Sequence, residues 1–286
     1  MSFHRQRLLI GCIVLVGGWL ATLVTVRKGS FFSKEAFVMS EARLEDVVII
    51  DSRNPDFDAL AEASAPDWAP FLKKTKPYTL IVENHSTRNI VGFSIKHTLR
   101  VEGQLYKELA QFENPDAVSK VPAKSESGFI GAGQRRVVGQ GFNIGRYSAA
   151  AEASLLAYVK AKDARLSRAE FVSIEFDAVV FDDGYLWGQD TEDLAGKLVA
   201  LVNERRAIYG TLLAGIDKNL TGMELLPFMN EHLPRTGAPG RWTKLARDSS
   251  ISEGEYLSYT YDRVKLRPIL EAAANEPPFI IYRKKP

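Results

Sequence analysis

The sequence predicts an α+β protein with an N-terminal transmembrane helix, an antiparallel β-sandwich, and C-terminal helices packed on or beside that sandwich. Three observations predict this class. An uncharged apolar run occupies residues 8–26, short alternating runs separated by turns occupy residues 78–188, and a helical apolar period follows. We divide the chain into a tip with its anchor (1–28), a connector (29–77), a β-sandwich domain (78–188) and a mainly helical region (189–286).

The anchor prediction rests on 19 consecutive positions without a charge, residues 8–26. At about 1.5 Å per residue this run spans roughly 28 Å, close to the hydrocarbon thickness of a bilayer. Basic residues flank both ends, so charge bias alone does not orient the helix. A short tip ahead of a long body favours a cytoplasmic N-terminus and an extracytoplasmic body, in the periplasm or at the cell surface. The lipid bilayer is therefore the first predicted partner.

Two other interpretations of this run stay open. A cleaved signal peptide usually has an apolar core of about 7–15 residues and a small-x-small cleavage site, whereas this run is longer and no Ala-x-Ala follows it. A lipoprotein would use Cys12, which ends a typical lipidation pattern, but only four residues separate Arg7 from Cys12. Cys12 is the only cysteine, so the body has no disulfide, cysteine-based zinc site or thiol nucleophile.

Composition argues for an ordinary globular body and against a nucleic-acid partner. Apolar residues make up 45% of the 286 residues and charged residues 25%. Four of the 37 basic residues lie within residues 1–28, which contain no acidic residue, so residues 29–286 carry 33 basic against 35 acidic residues, a net charge of −2. A nucleic-acid-binding domain is expected to carry a strongly basic face.

The β region contains several strand patterns. Residues 44–50 of the connector form a first short candidate, and proline breaks the helical pattern of residues 56–74. Strands over residues 78–83 and 90–101, joined by a polar turn, predict an antiparallel hairpin. A short strand at 136–138 precedes the strongest strand, 170–181, which turns at residues 182–184 into a return strand at 185–187. One face of the strongest strand is wholly apolar and should face a core: Val172, Ile174, Phe176, Ala178 and Val180.

The helical region begins where the apolar period changes. Asp190, with Asp193 three residues on, resembles a capping box, and Gly215 is predicted to end the helix. One apolar stripe runs between them: Leu194, Leu198, Leu201, Val202, Ile208, Tyr209, Leu212 and Ile216.

Shorter elements complete the chain. Residues 222–232 predict a second helix, and Ser252 with Glu255 predicts the cap of a third over 256–266. Pro268 would kink that helix or start a new turn. Residues 279–282 (FIIY) form a candidate late strand.

Two stretches carry a resemblance. Residues 82–93 (VENHSTRNIVGF) are similar to the V-x-N-x-S-x-x-x-I-x-G/A-Y/F hairpin of immunoglobulin-like modules in uncharacterised bacterial exported proteins. Residues 176–188 (FDAVVFDDGYLWG) resemble the V-V-F-x-D-G-x-x-W-G strand pair of the same modules. The resemblance implies an immunoglobulin-like sandwich at the cell envelope, and it implies no activity.

An acidic stretch is the main candidate for chemistry. Calcium prefers six to eight oxygen ligands, but the spacing here departs from the D-x-[DN]-x-[DN]-G pattern, and turn and helix-cap roles already explain these residues. Six carboxylates fall within 17 residues: Asp177, Asp182, Asp183, Asp190, Glu192 and Asp193.

Other motifs are weaker. Neither the H-E-x-x-H nor the G-x-S-x-G pattern occurs, so we predict no catalytic, cofactor-binding or metal-ligating residue. Glu231 with His232 is the remaining candidate acid–base pair. Several glycines lack phosphate-loop or dinucleotide spacing and predict bends: Gly128, Gly131, Gly133, Gly139, Gly141 and Gly145. The other histidines are His4, His85 and His97, and neither His85 nor His97 has an obvious partner nearby in sequence. Four aromatic residues could line a glycan or peptide groove, or belong to the core: Trp68, Tyr185, Trp187 and Trp242.

These observations predict a membrane-anchored extracytoplasmic protein, a non-catalytic binding or scaffold module for an envelope protein or polymer. An alternative is an envelope hydrolase or metal-dependent enzyme that uses the acidic region from Asp182 to Asp193. A third hypothesis is an assembly subunit that oligomerises through its helices. Three or more converging carboxylates would favour the enzyme, and an exposed stripe of Leu194, Leu198 and Leu201 would favour the assembly subunit.

Overall fold

The computed structural model describes residues 37–39, 46–66, 79–113, 129–139, 153–154, 156–157, 160, 168–233, 241–260, 263–275 and 279–283. Its strands are β1 (Phe37–Met39), β2 (Val47–Ile50), β3 (Thr79–Asn84), β4 (Ile90–Val101), β5 (Gln104–Glu113), β6 (Arg135–Gly139), β7 (Ala169–Phe181) and β8 (Leu186–Gly188). Its helices are α1 (Phe57–Ser64), α2 (Leu194–Asp217), α3 (Gly222–His232), α4 (Thr243–Thr260) and α5 (Arg263–Ala274). The predicted α+β class is confirmed.

Two sheets organise the strands. The five-stranded sheet has the order β1-β7-β4-β5, and β8 also pairs with β7. The three-stranded sheet has the order β2-β3-β6 and is antiparallel throughout. In the larger sheet β1 pairs with β7 in parallel, while β8 pairs with β7 antiparallel. The β-rich region predicted from alternation is therefore present, and its first two strands, β1 and β2, lie within the range 29–77.

The chain divides into two compact units, and β4, β5 and β7 each contribute residues to both. The first unit includes β1, residues 97–108 and residues 168–174 among the described residues. Here β4 and β5 are joined by Glu102 and Gly103, both with positive φ, as a two-residue hairpin requires. Arg168 pairs with Glu102 at 3.3 Å, and the Gly103 N–H donates to the Glu170 carboxylate at 3.2 Å.

The second unit contains the remaining described elements, and its small sheet is covered by α1. Phe57 and Ala61 of α1 pack against Ile50, Ile81 and Val137, one residue from each strand of that sheet. This patch buries the apolar face of an eight-residue helix that would be unstable alone.

The predicted hairpin between the first two strong strands is wrong. Strand β3 pairs with β2 and β6 in the small sheet, whereas β4 belongs to the larger sheet. The reason is the turn between them, where the buried Asn84 amide donates to the carbonyls of Arg88, Ile130 and Gly131. Its oxygen accepts from the Ser86 N–H and hydroxyl. These bonds hold the loop that leads from β3 in the smaller sheet to β4 in the larger one. Both edges of β3 are already paired, one with β2 and the other with β6.

The strong strand and its return behave as predicted. The five apolar residues predicted to face a core are all buried in β7, and β8 pairs with the strand through Ala178, Val179 and Val180. Further residues of the opposite face, Asp177, Val179 and Phe181, are buried as well. The end of β7 that leads into the turn is thus covered on both faces.

Helix α2 packs on the larger sheet through the predicted stripe. Leu194 and Leu198 are fully buried against Val91, Ala178 and Val180. A Cβ atom added to Gly92 would lie 2.8 Å from the Leu198 Cδ1 atom, so the glycine makes room for the helix. The stripe is covered inside the second unit, which removes the observation on which the assembly hypothesis depended.

The other helices surround the second half of α2. Helices α3, α4 and α5 form one apolar cluster with it, which includes Tyr209, Leu212, Leu225, Leu257 and Leu270. Helix α3 has the predicted bounds and starts at a capping box of Thr221 and Glu224.

Two predicted helix ends are wrong, the stop at Gly215 and the cap at Ser252. Gly215 lies inside α2, where Leu225 and Phe228 pack closely over it, and the helix continues to Asp217. Ser252 lies inside α4 and donates to the Asp248 carbonyl, so it does not cap a helix. Pro268 lies inside α5. Local cap patterns were outweighed here by packing between helices.

Candidate functional site

Asp177 holds the loop between β8 and α2. It is a buried β7 residue, and its carboxylate accepts from the Thr191 N–H at 2.8 Å, the Thr191 hydroxyl at 2.5 Å and the Ser94 hydroxyl at 3.3 Å. Its own carbonyl accepts from the Asp190 N–H. Both carboxylate oxygens are therefore used to fix the backbone that starts the long helix.

Asp190 and Asp193 share the N-terminus of α2. The structure makes Asp193 the N-cap residue, with φ 59°, and its carboxylate accepts from the Gly196 N–H at 3.2 Å. Asp190 accepts from the N–H groups of Leu194 and Ala195 at 2.6 and 3.1 Å. The first-turn N–H groups, which lack helical partners, are thus satisfied by two aspartates, and the cap lies three residues later than predicted.

The pKa of Asp190 is raised. The main cause is burial of the carboxylate, and the negative charges of Asp193 and Asp177 add to it. The two backbone N–H donors of Leu194 and Ala195 oppose the shift. Burial and like charges raise the pKa of a capping group here, so the shift has a structural explanation and needs no catalytic one.

The carboxylates of Glu192 and Asp193 bind the two residues that precede α4. Arg241 donates to the Glu192 carboxylate at 2.5 Å, and the Trp242 indole N–H donates to Asp193 at 3.0 Å. Arg241 also lies over the Trp242 ring at 4.6 Å, with Lys197 at 5.6 Å. Trp242 therefore docks the residues that precede α4 on the start of α2.

The acidic residues do not converge on one point. Asp182 accepts from the backbone and side-chain amides of Asn89, away from the α2 cap. Among the described residues, no group of three histidine, cysteine, aspartate or glutamate side chains is placed to hold a metal ion. The geometry that would favour a metal-dependent enzyme in this region is therefore not found in the part of the chain that the structure describes.

The histidine candidates have local partners. The His232 Nδ1 atom lies 2.9 Å from the Phe228 carbonyl, and the two rings stack at 4.0 Å, so His232 contacts its own helix and its ring makes no hydrogen bond to Glu231. His85 lies 3.1 Å from the carboxylate of Glu83, two residues away, so the prediction that it lacks a partner nearby in sequence is wrong. His97 is buried in β4. His4 lies outside the described residues.

The glycine-rich candidates fall only partly within the described residues. Gly131 and Gly133 form the turn before β6, and the Gly133 N–H donates to the Asn84 carbonyl. Gly139 ends β6, while Gly128, Gly141 and Gly145 lie outside the described residues. The bends predicted at the described positions precede and end a strand. Trp68 also lies outside the described residues, and Trp187 is a half-buried residue of β8.

A second group of residues gathers at the turn between β7 and β8. We call Arg88, Asp183, Tyr185 and Tyr282 the turn cluster. The Arg88 guanidinium lies 4.5 Å from the centre of the Tyr185 ring and 4.2 Å from that of Phe181. Tyr185 and Tyr282 have ring centres 5.8 Å apart. Asp183 ties the group together, since Arg88 lies 3.5 Å from its Oδ2 atom and the Tyr282 hydroxyl donates to the same atom at 3.2 Å.

The turn cluster is a surface feature. Tyr282 is 48% exposed, and the Arg88 and Asp183 side chains are 34% and 41% exposed. Desolvation and the adjacent Asp183 carboxylate raise the pKa of the Tyr282 hydroxyl, which therefore remains a hydrogen-bond donor at neutral pH. A guanidinium stacked on aromatic rings with a fixed tyrosine beside it is an arrangement suited to binding, because tyrosine and arginine are enriched where binding energy concentrates.

Sequence reasoning finds only part of this cluster. Tyr185 is among the aromatic candidates, while the sequence pattern places Arg88 in a polar turn and Tyr282 in a late strand. These residues are distant in sequence, so no local period links them. The available signal is that two strand patterns each have a turn at one end. Arg88 belongs to the polar turn at residues 84–89, and Asp183 belongs to the acidic turn at residues 182–184.

Comparisons of the chain with protein-family models, with curated proteins and with solved structures give no match. The resemblance to immunoglobulin-like modules therefore stays a prediction.

Proposed function

We propose that the chain is a membrane-anchored extracytoplasmic binding module that contacts its partner through the turn cluster. The observation that carries this proposal is the exposed Arg88–Tyr185–Tyr282 arrangement, held by Asp183. Tyrosine offers a large contact area at a low entropic cost, and the arginine guanidinium offers several directed hydrogen-bond donors.

The anchor supplies the location in this proposal. Residues 8–26 are long and apolar enough to cross a bilayer, and a short basic tip precedes them. They lie outside the described residues. In the described part of the chain, none of the helices combines the length and the apolar character that crossing a bilayer demands. The proposal places the body in the periplasm or at the cell surface, as an immunoglobulin-like sandwich with helices, and the two antiparallel-rich sheets are compatible with that architecture.

The binding proposal is preferred to the hydrolase alternative because of how the acidic residues are used. Each of the Asp177, Asp190 and Asp193 carboxylates accepts hydrogen bonds that hold the β8–α2 loop or the first turn of α2. Glu192 is paired with Arg241. A catalytic carboxylate needs to face a substrate, and these face the backbone or a neighbouring side chain.

The test is a pull-down from detergent-solubilised envelope membranes with the full chain as bait. The wild type is compared with Arg88→Ala and with Tyr185→Ala, each checked by circular dichroism. We expect one or more envelope proteins or polymers to be enriched by the wild type and to be reduced at least fivefold by either variant. Residues of this kind typically contribute about 1 to 2 kcal/mol or more to binding.

The matched control is Val264→Ala, an 84% exposed position on α5. This variant should retain the full enrichment. Enrichment that is equal for all baits, or that fails to exceed the background, would contradict the proposal.

A further inference from the structure

The C-terminal segment, residues 279–283, lies along the outer edge of β8. The Tyr282 N–H donates to the Gly184 carbonyl and the Leu186 N–H donates to the Tyr282 carbonyl, each at 2.9 Å. These two bonds form a parallel bridge between Tyr185 and Tyr282. The segment is thus held beside the start of β8 by one parallel bridge, on the side away from β7.

The side chains of this segment alternate in their contacts. Phe279 and Ile281 pack against the apolar cluster of Val180, Leu186 and Leu194, whereas Ile280 is 69% exposed. Tyr282 and Arg283 then add polar contacts to the body, the Tyr282 hydroxyl to Asp183 and the Arg283 guanidinium to the Gln189 carbonyl at 3.0 Å. The surface therefore selects an order of side chains: apolar, any residue, apolar, tyrosine and basic.

The turn is shaped for a backbone to pass close to it. Gly184 has φ 86°, and a Cβ atom at this position would lie 2.1 Å from the Ile280 carbonyl oxygen. Any side chain at residue 184 would therefore block a strand in this place. Gly103 has a similar φ of 76° in the β4–β5 turn, but a Cβ atom added there would meet no other atom within 4 Å. The two glycines form a matched pair for an experiment.

The resident segment is held by few bonds. Two backbone hydrogen bonds, two exposed side-chain hydrogen bonds and two half-buried apolar side chains are a small set of contacts, and such sets open at low free-energy cost. An edge strand that opens exposes unpaired N–H and C=O groups and an apolar strip together, and extended peptides bind to edges of this kind.

We propose that the β8 edge is a peptide-docking site, which the chain fills with its own residues 279–283. Its ligand is an extended segment of a partner protein with the order apolar-x-apolar-Tyr-basic, which binds as a strand after displacing the resident segment. This inference rests on the proposed function and names the class of partner. The partner's tyrosine would replace Tyr282 at Asp183, and its basic residue would replace Arg283 at the Gln189 carbonyl.

The test uses the purified full chain in detergent micelles and a fluorescein-labelled peptide with the sequence of residues 279–286, followed by fluorescence anisotropy. In the wild type the resident segment competes with the peptide. The double variant Ile281→Ala with Tyr282→Ala weakens only the resident segment, so the peptide should bind at least fivefold more tightly to it. An unchanged or lower affinity would overturn the proposal.

Substitutions in the peptide avoid effects on folding. A peptide with serine in place of Ile281 should lose at least fivefold in affinity, and one with serine in place of the outward-facing Ile280 should bind as well as the original. Equal loss from both, or from neither, would show that binding does not use this geometry. A scrambled peptide that binds equally well would show the same.

The glycine pair provides the matched control in the double-variant background. Gly184→Ala should abolish peptide binding, while Gly103→Ala should leave it unchanged. If Gly184→Ala lowers the thermal midpoint much more than Gly103→Ala does, the peptide substitutions decide the question. Failure of the peptide to bind, combined with a membrane pull-down that still depends on Arg88, would overturn this inference alone and leave the proposed function standing.

Discussion

Leu198→Ala tests how the helical region is joined to the sheet. Leu198 is fully buried on α2, and it packs against Val91, Ala178 and Val180 of the larger sheet. Gly92 lies directly beneath it, since a Cβ atom at Gly92 would come within 2.8 Å of Leu198. The substitution removes apolar atoms from the boundary between helix and sheet.

The expected loss of folding free energy follows from the way Leu198 is enclosed between helix and sheet. A leucine-to-alanine change in a core costs about 2–5 kcal/mol, and the value depends on how far the surroundings collapse into the cavity. Sheet backbone lies on one side of Leu198 and helix backbone on the other, so collapse is restricted, and we expect a cost of about 3 kcal/mol. Since about 1.4 kcal/mol corresponds to a factor of ten, the ratio of folded to unfolded chain should fall roughly a hundredfold.

The assay is urea denaturation of the full chain in detergent, followed by circular dichroism, with Leu245→Ala as control. Leu245 is 50% exposed on α4, so its loss should cost less than about 0.5 kcal/mol. The reasoning would be refuted if both variants had the same midpoint. It would also be refuted if Leu198→Ala dissociated an oligomer without a loss of stability, which the assembly hypothesis expects.

Three further predictions concern the polar contacts. Asp177→Asn should lower the free energy of unfolding by about 1–3 kcal/mol, because an amide group would face one of the Thr191 donors; urea denaturation with an unchanged midpoint would contradict this. Asp190→Ala should destabilise the chain by about 0.5–2 kcal/mol, because the N–H groups of Leu194 and Ala195 lose their acceptor. Because the folded pKa of Asp190 is raised, the contribution of this carboxyl group to stability is complete below the unfolded pKa and declines as pH rises through the folded pKa, so the difference in stability between wild type and variant should narrow as pH rises above the ordinary aspartate pKa; a widening difference in denaturation midpoints would refute this. Tyr282→Phe should remove one late-titrating phenol from the alkaline absorbance titration, because desolvation and Asp183 raise the pKa of this hydroxyl; loss of an early-titrating phenol would be the contrary result.

Elements set by local periodicity are predictable from the sequence. Strand β4 and helix α3 have the predicted bounds, and every residue of the predicted α2 stripe is buried. In these segments the burial of side chains repeats with the period of the backbone, so the pattern is visible in a short window. The apolar face of β7 is found for the same reason.

Pairing between distant segments is not predictable in this way. Both β3 and β4 show strong strand patterns, but alternation does not say which strand lies beside which. The buried Asn84 amide donates to the carbonyls of Ile130 and Gly131, and these bonds hold the loop that separates β3 from the larger sheet. Helix ends are also hard to predict. Glycine often ends a helix, but α2 continues past Gly215 because Leu225 and Phe228 pack against it there.

The candidate site likewise combines residues that the sequence identifies with contacts that it does not predict. The acidic residues and Tyr185 are identifiable from the sequence, and cap and turn roles account for most of the carboxylates. The meeting of Arg88 with Tyr282, 194 positions later, depends on the C-terminal segment returning to β8. A contact between residues so distant in sequence depends on the folded topology, so a local sequence motif does not predict it.

Membrane fractionation tests the central claim most directly. The full chain, with residues 1–28 confirmed intact by mass spectrometry, is expressed, and the lysate is washed with alkaline carbonate and centrifuged at high speed. The proposed anchor predicts that the chain sediments with the membranes and is released only by detergent, with the body accessible to protease from the extracytoplasmic side. Intact chain that stays in the supernatant would contradict the anchor, and with it the proposed role at the envelope.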